Sequence, residues 1–171
     1  MKKIIIVIMS LVLLTGCGMS KEEKTDLFYD SLEKAYASVY ITNGVGLPVY
    51  EDSKVTLSNV DWYKTASSVY SSYEKIEDGI NSVFDGDLKD SLNKTLASKY
   101  REINAELYTT GVGGCMMNYQ LDDTLLSNIK KDVSISKIKR NKITFKYKDK
   151  KYTAKLSDNT YKFTTQVFEC N

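Results

Sequence analysis

The sequence contains no histidine, which is the side chain that most often acts as a general base, and only three cysteines. A Ser-His-Asp or Cys-His hydrolase would therefore lack its general base. A zinc site would have to be built from carboxylates and thiols, and no Gly-x-Gly-x-x-Gly or phosphate-binding loop is present. The sequence predicts a protein that is not an enzyme and has no metal and no cofactor. A hydrolase with two facing carboxylates is the catalytic alternative that the residue types leave open.

Cys17 follows the small pair Thr15-Gly16 at the end of an apolar run, Ile4 to Leu14, that is led by Lys2 and Lys3. The run is shorter than the ~20 residues of a membrane span and has the layout of a secretory signal. The ending resembles the bacterial lipobox, which implies a signal peptide over residues 1–16 and a diacylglycerol thioether at Cys17. We expect a short tether over 17–24, a single domain over 25–171, and a lipid-anchored protein on the outer face of the cell membrane.

The charge balance gives little sign of a nucleic-acid partner. Without Lys2 and Lys3, the chain carries 22 basic and 22 acidic residues. Basic residues cluster between Lys130 and Lys151, but they alternate with apolar ones, which is typical of the solvated face of a sheet. A weak attraction to anionic lipid or to a wall polymer stays open.

Apolar residues at helical spacing predict a first helix from about Lys21 to Tyr40, which begins with the capping box Ser20 to Glu23. Two glycines and a proline in residues 43–48 end it. A second helical region is predicted from Trp62 to Lys99 and is divided near a capping box at Ser71 to Glu74. Asp85-Gly86-Asp87 divides it again. Since most positions of a calcium loop are missing around these aspartates, we interpret Asp87 as the cap of a helix over Leu88 to Ser98.

The pattern then changes to the alternation of strands. Tyr100 to Thr110 is predicted as one strand, and residues 111–114 as a flexible loop. Asp123 to Lys130 is a short helix or an irregular connection. Four further strands with tight turns follow, at Val133 to Lys139, Lys142 to Lys148, Lys151 to Leu156 and Thr160 to Phe168. Each has one apolar face, which needs a cover. The predicted fold is therefore α+β, with N-terminal helices packed on a C-terminal antiparallel β-meander.

Cys115 and Cys170 are the cysteines that remain after lipidation of Cys17. Because the domain is expected outside the cell, a disulfide between them is the natural inference. It would stabilise the domain by about 4 kcal/mol in the chain-entropy model. Two free, buried thiols are the alternative, since reduced cysteine behaves as a small apolar residue. A catalytic thiol is disfavoured because no histidine could activate it.

The segment from Trp62-Tyr63 through Ala105-Glu106-Leu107-Tyr108 to the glycine loop carries a resemblance. Its helical stretches, the strand ending in Leu-Tyr, the Gly-Val-Gly-Gly loop and the strand meander resemble bacterial DL-endopeptidase inhibitors of the IseA (YoeB) type. The likeness covers roughly residues 62–168. It implies a protein that docks on the catalytic domain of NlpC/P60 cell-wall hydrolases and blocks the peptidoglycan cleft.

The glycine loop is the predicted docking element, since a loop without side chains can enter a narrow cleft and a neighbouring tyrosine can anchor it. Most of the thirteen tyrosines lie on apolar stripes, but Tyr108 and Tyr119 do not, which makes these two the contact candidates. The residues predicted to bind the partner hydrolase are Tyr108, Thr109, Thr110, Gly111, Val112, Gly113, Gly114 and Tyr119.

Two other functions fit the same sequence. One is a cystatin-like or NTF2-like lipoprotein that binds a ligand or assists envelope assembly, for which a deep apolar pocket under the sheet would be expected. The other is an immunity or surface-exclusion lipoprotein carried by a mobile element. The alternative to a docking role for the glycine loop is a connector that only turns the chain between two elements.

Overall fold

The computed structural model describes residues 18–111 and 114–170. The predicted signal peptide and Cys17, and Val112 and Gly113 of the glycine loop, lie outside these residues. Over these residues the fold is α+β, as predicted, with four helices and two antiparallel sheets of four strands each. The helices are α1 (Lys21–Thr42), α2 (Tyr73–Val83), α3 (Gly86–Lys99) and α4 (Leu125–Asp132).

The strands form an N-terminal sheet of order β1-β2-β4-β3 and a C-terminal sheet of order β5-β6-β7-β8. The first four are β1 (Val55–Leu57), β2 (Val60–Lys64), β3 (Tyr100–Ile103) and β4 (Glu106–Thr109). The last four are β5 (Val133–Lys139), β6 (Lys142–Tyr147), β7 (Lys150–Ser157) and β8 (Thr160–Lys162).

Helix α1 is the central element, and its start and end agree with the prediction. Ser20 Oγ accepts from Glu23 N at 3.1 Å, and Glu23 Oε2 accepts from Ser20 N at 2.6 Å, which completes the capping box. The helix packs on α2, α3, α4 and β8. Its buried hydroxyls are satisfied locally: Ser38 and Thr42 each donate to the carbonyl four residues earlier. A helix buried on most sides can therefore hold polar residues without leaving them unpaired.

The C-terminal meander was predicted correctly in outline. Ile143, Phe145 and Ala154 of its inner face are fully buried against the helices. Two boundaries differ from the prediction. The turn between β6 and β7 is Lys148-Asp149, both with positive φ, rather than residues 149–150. The last strand ends at Lys162 because the chain then leaves the sheet, although Val167 and Phe168 remain buried in the core.

The prediction of one helical region from Trp62 to Lys99 was wrong at its start. Trp62 lies in β2, which pairs with β1 and β4. Its ring is 7% exposed and lies under the guanidinium of Arg101, 4.7 Å from the ring centroid. Short apolar patterns in a sequence do not distinguish a helix from a strand. At Trp62 the pairing with β1 and β4 determines that the segment is a strand.

The predicted caps of α2 and α3 are displaced along the chain. Ser72, not Ser71, caps α2, and its Oγ accepts from Lys75 N at 3.3 Å. Asp85, not Asp87, occupies the N-cap of α3, without a side-chain cap hydrogen bond. Asp87 lies in the first turn, where a carboxylate still interacts favourably with the helix dipole.

Tyr100 to Thr110 is a hairpin instead of one strand. Asn104 and Ala105 have φ of 52° and 63° and form the turn between β3 and β4. Both central residues of such a turn need positive φ, which asparagine tolerates and alanine does not favour. Because alanine is unusual at this position of a turn, the sequence pattern did not predict the turn.

Candidate partner-binding site

The glycine loop leaves the end of β4 and turns beside the N-terminal sheet. Thr110 N donates to Lys99 O at 3.0 Å, which holds the start of the loop to the end of α3. Gly111 has φ of 99°, a value that residues with a Cβ rarely adopt. A Cβ at Gly111 would lie 3.8 Å from the Tyr63 ring, an ordinary contact. Backbone conformation, rather than lack of space, therefore requires glycine at this position.

The far end of the loop is packed onto the turn that follows α1. A Cβ placed on Gly114 would overlap the carbonyl oxygen of Gly44 and lie 2.8 Å from the carbonyl oxygen of Asn43. Gly44 is buried, and a Cβ there would lie 2.7 Å from Met117 Cγ and 2.8 Å from Tyr40 O. The two backbones approach closely only because neither residue carries a side chain.

A disulfide joins Cys115 and Cys170 at this contact, with their Cα atoms 5.3 Å apart. Cys115 Sγ lies 3.3 Å from Asn43 O and Cys170 Sγ 3.7 Å from it. A disulfide sulfur carries no proton, so these are contacts and not hydrogen bonds. The bridge ties the end of the glycine loop and the C-terminal segment to the end of α1, and free thiols are excluded.

The two tyrosines predicted as contact residues are both largely engaged within the fold. Tyr108 is 9% exposed and Thr109 is 3% exposed, because both belong to β4 in the middle of its sheet. Tyr119 is half-buried, and its hydroxyl donates to Asp132 Oδ2. Burial, followed by that hydrogen bond, raises the pKa of Tyr119. Of the predicted set, Gly111 and Thr110 are partly exposed and Gly114 is exposed.

Tyr36 of α1 holds the segment after the disulfide in place. Its hydroxyl donates to Tyr119 O and accepts from Tyr119 N, both at 2.7 Å. The Tyr36 side chain is 1% exposed, and its ring makes an edge contact with Phe168. Residues 115–121 are therefore anchored to the core on both sides of Tyr119.

We expect stability to fall at alkaline pH because of this residue. Burial raises the pKa of Tyr36 to about 12, while an unfolded tyrosine ionises near 10. A raised pKa contributes stability that is complete below pH 10 and is lost between about pH 10 and 12, by about 2 kcal/mol here. Urea unfolding at pH 8 and pH 11 measures about half of this loss, because the folded-state pKa of about 12 lies above the second pH. The Tyr36→Phe protein should be less stable at pH 8 and lose less between the two values; an unchanged difference would contradict the assignment.

An open apolar groove with a volume of about 560 Å³ is lined by the connector after α1, by the connector between β2 and α2, and by residues 120–121. We call it the connector groove, because the two connectors that meet at the Gly44–Gly114 contact also supply its walls. At its edge Tyr40 OH donates to Gln120 Oε1 at 3.0 Å. The lining residues are Tyr40, Val45, Gly46, Leu47, Pro48, Ala66, Ser67, Ser68, Val69, Tyr70, Gln120 and Leu121.

Two large apolar side chains near these connectors are exposed to solvent. Val69, in the groove wall, is 69% exposed, and Met116, between the disulfide and Met117, is 74% exposed. The sequence analysis predicted neither residue to be exposed. Val69 lies within the helical region predicted from Trp62 to Lys99, but no helix forms at that position. The only available signal was the serine-rich surrounding of Val69 in residues 67–72, which favours a loop.

The described residues contain no group of three or more His, Cys, Asp or Glu side chains placed to hold a metal ion. None of the helices in the described part of the chain has the length and apolar character of a membrane span. No family model matches the chain, and no curated protein is significantly similar to it.

Proposed function

We propose that this chain is a non-enzymatic lipoprotein on the outer face of the cell membrane that inhibits peptidoglycan DL-endopeptidases of the NlpC/P60 type. The observation that carries the proposal is the anchoring of the two ends of the glycine loop. Its start is held by Thr110 and its end by the Gly44–Gly114 contact and the disulfide. Anchored ends favour docking in a cleft, because the residues that flank the loop lose less conformational entropy on binding.

The contact surface that we propose differs from the one expected from sequence alone. Tyr108 supports the loop from within the sheet, since its ring is buried. The side chains available to a partner are Met116, which follows the glycine loop and the disulfide, and Val69, which lies in the wall of the connector groove between β2 and α2. Exposed apolar residues of this kind are typical of interface centres, where a few such contacts dominate the binding energy.

The test uses residues 18–171 as a soluble protein and an NlpC/P60 endopeptidase from the same organism. The wild-type domain should slow peptidoglycan cleavage, and Met116→Glu or Val69→Glu should raise the inhibition constant about tenfold or more, since a charge would be buried in the interface. Val60→Glu is the matched control, because Val60 is 41% exposed at the distant β1–β2 turn. Absence of inhibition, or equal effects of all three variants, would contradict the proposal.

The connector groove favours a second candidate, a ligand-binding envelope lipoprotein. Its volume of about 560 Å³ is within the usual range for small-molecule sites, and a few polar groups border it. It is an open groove near the end of α1, however, and not the deep pocket under the sheet that this function would favour. Binding of an apolar fluorescent probe that is lost in Val69→Glu, in a protein without inhibitory activity, would support the ligand-binding function instead.

A further inference from the structure

The near-zero net charge of the chain after residue 17 conceals a strong separation of charge. Residues 133–162, which contain the whole C-terminal sheet, carry ten Lys and Arg and two Asp, a net charge of +8. The other residues from 18 onward carry twelve basic and twenty acidic side chains, a net charge of −8. The protein therefore presents one strongly basic sheet on an otherwise acidic body.

Strand register places the lysines on the outer face of this sheet. Lys142 is directly opposite Lys139 on one side and Lys155 on the other, and Lys146 is opposite Lys151. The alternate residues of the same strands, among them Phe145 and Ala154, are buried on the inner face. We call the outward set the lysine face; its exposed members are Lys137, Lys139, Lys142, Lys146, Lys151 and Lys155.

In the described part of the chain, no carboxylate forms a salt bridge with a member of the lysine face. Among residues 18–111 and 114–170, the salt bridges involve other lysines, namely Lys54, Lys64 and Lys150. Like charges directly opposite each other on neighbouring strands destabilise a sheet. With Lys155 opposite Lys162 as well, four such Lys–Lys pairs on four strands reduce the stability of the isolated protein, and an anion bound across them would relieve the repulsion.

The other outward side chains of this face indicate the class of anion. They are hydroxyl residues, such as Thr144 and Thr153, with no aromatic or large apolar side chain among them. Membrane-surface binding normally adds apolar residues that enter the headgroup region, and single-stranded nucleic acid normally stacks on aromatic rings. Lysine ammonium groups act as point charges toward phosphate, without the fixed geometry of arginine. A sheet also twists by about 20–25° per strand, which suits a flexible chain better than a flat bilayer.

We propose that the lysine face binds a hydrated phosphodiester polymer of the cell surface, with successive phosphates following the row Lys139, Lys142 and Lys155. The location of that polymer rests on the export proposed above, whereas the binding itself does not. The interaction would hold the protein within the polyanionic layer while the glycine loop and connector groove, which are built from other elements, stay available to a partner.

The test measures binding of residues 18–171 to poly(glycerol phosphate), with anionic phosphatidylglycerol vesicles as a second probe. The variant Lys142→Glu/Lys151→Glu converts three of the four opposed Lys–Lys pairs into Lys–Glu pairs and leaves Lys155 opposite Lys162. Its matched control is Lys75→Glu/Lys94→Glu on α2 and α3, which changes the net charge equally at exposed positions. The first variant should lose at least tenfold in polymer affinity, and the control less than threefold.

Two further readouts separate a binding face from general charge attraction. The logarithm of the affinity should fall with the logarithm of salt concentration with a slope of about −4 for six contacted phosphates, and of about −2 to −3 in the lysine-face variant. In the absence of polymer, this variant should unfold a few degrees higher than the wild type, since its cross-strand pairs become attractive.

Equal losses in the two variants, or binding to vesicles without binding to the soluble polymer, would overturn the proposal. Inhibition of the endopeptidase is measured with the same proteins and should not change in the lysine-face variant. Polymer binding without inhibition would therefore refute only the proposed function, and inhibition without polymer binding would refute only the lysine-face proposal.

Discussion

Gly114→Ala is expected to lower the free energy of unfolding by about 3 kcal/mol, and the midpoint of thermal unfolding by about 6–12 °C. The new methyl group would overlap Gly44 O and approach Asn43 O, and both are backbone atoms. A backbone carbonyl cannot rotate away as a side chain can, so the two connectors would have to separate. Thermal and urea unfolding of the disulfide-bonded protein, followed by circular dichroism, measures the effect.

Gly79→Ala is the matched control, with an effect of opposite sign. Gly79 lies inside α2, and the nearest atom to an added Cβ is Ser38 Oγ at 3.7 Å, an ordinary contact. Alanine should stabilise this helix by about 0.5–1 kcal/mol. A midpoint of Gly114→Ala within a degree of the wild type, or the same loss in both variants, would show that the connectors are not packed as described.

Removal of the disulfide should lower the free energy of unfolding by an amount similar to that expected for Gly114→Ala. The bridge spans a sequence separation of 55 residues, for which the chain-entropy model gives about 4 kcal/mol. The double variant Cys115→Ala/Cys170→Ala should therefore unfold at much lower urea concentration. The wild type treated with reductant should move toward the same midpoint, because in both cases the unfolded chain is released from its constraint.

The double variant with and without reductant provides the control, and its midpoint should not change. If reductant left the wild-type midpoint unchanged under conditions in which free thiols are detected, the bridge would contribute no stability. Inhibition by the reduced protein is equally informative. We expect it to weaken together with stability, since the disulfide fixes the end of the proposed docking loop.

The sequence was most informative where local chemistry decides the structure. The capping box at Ser20 and Glu23 and the glycines after Thr42 correctly placed both ends of α1. In the C-terminal meander, alternation identified the four strands and their buried face, because a half-buried strand requires a period of two residues. The disulfide between Cys115 and Cys170 and the α+β class were predicted from the cysteines and from the order of the patterns, and the structure confirms both, whereas export stays a prediction.

The features that tertiary contacts decide could not be read from the sequence. Trp62 became part of a strand because β1 and β4 pair with its backbone on either side, and partners distant in sequence leave no local signal. Ala105 occupies a turn position that statistics assign to glycine, so the β3–β4 hairpin was read as one strand. Tyr108 was consequently expected at the surface, while the pairing of β4 with two strands buries it.

The sequence by itself determined the capping box of α1, the strand meander and the supply of glycines and cysteines, because each depends on residues near one another in the chain. The tertiary structure alone decided that Gly114 lies against Gly44, that Val69 and Met116 are exposed beside them, and that lysines of three strands align in rows. Those arrangements depend on which segments meet in space, and a period or a motif carries no information about that.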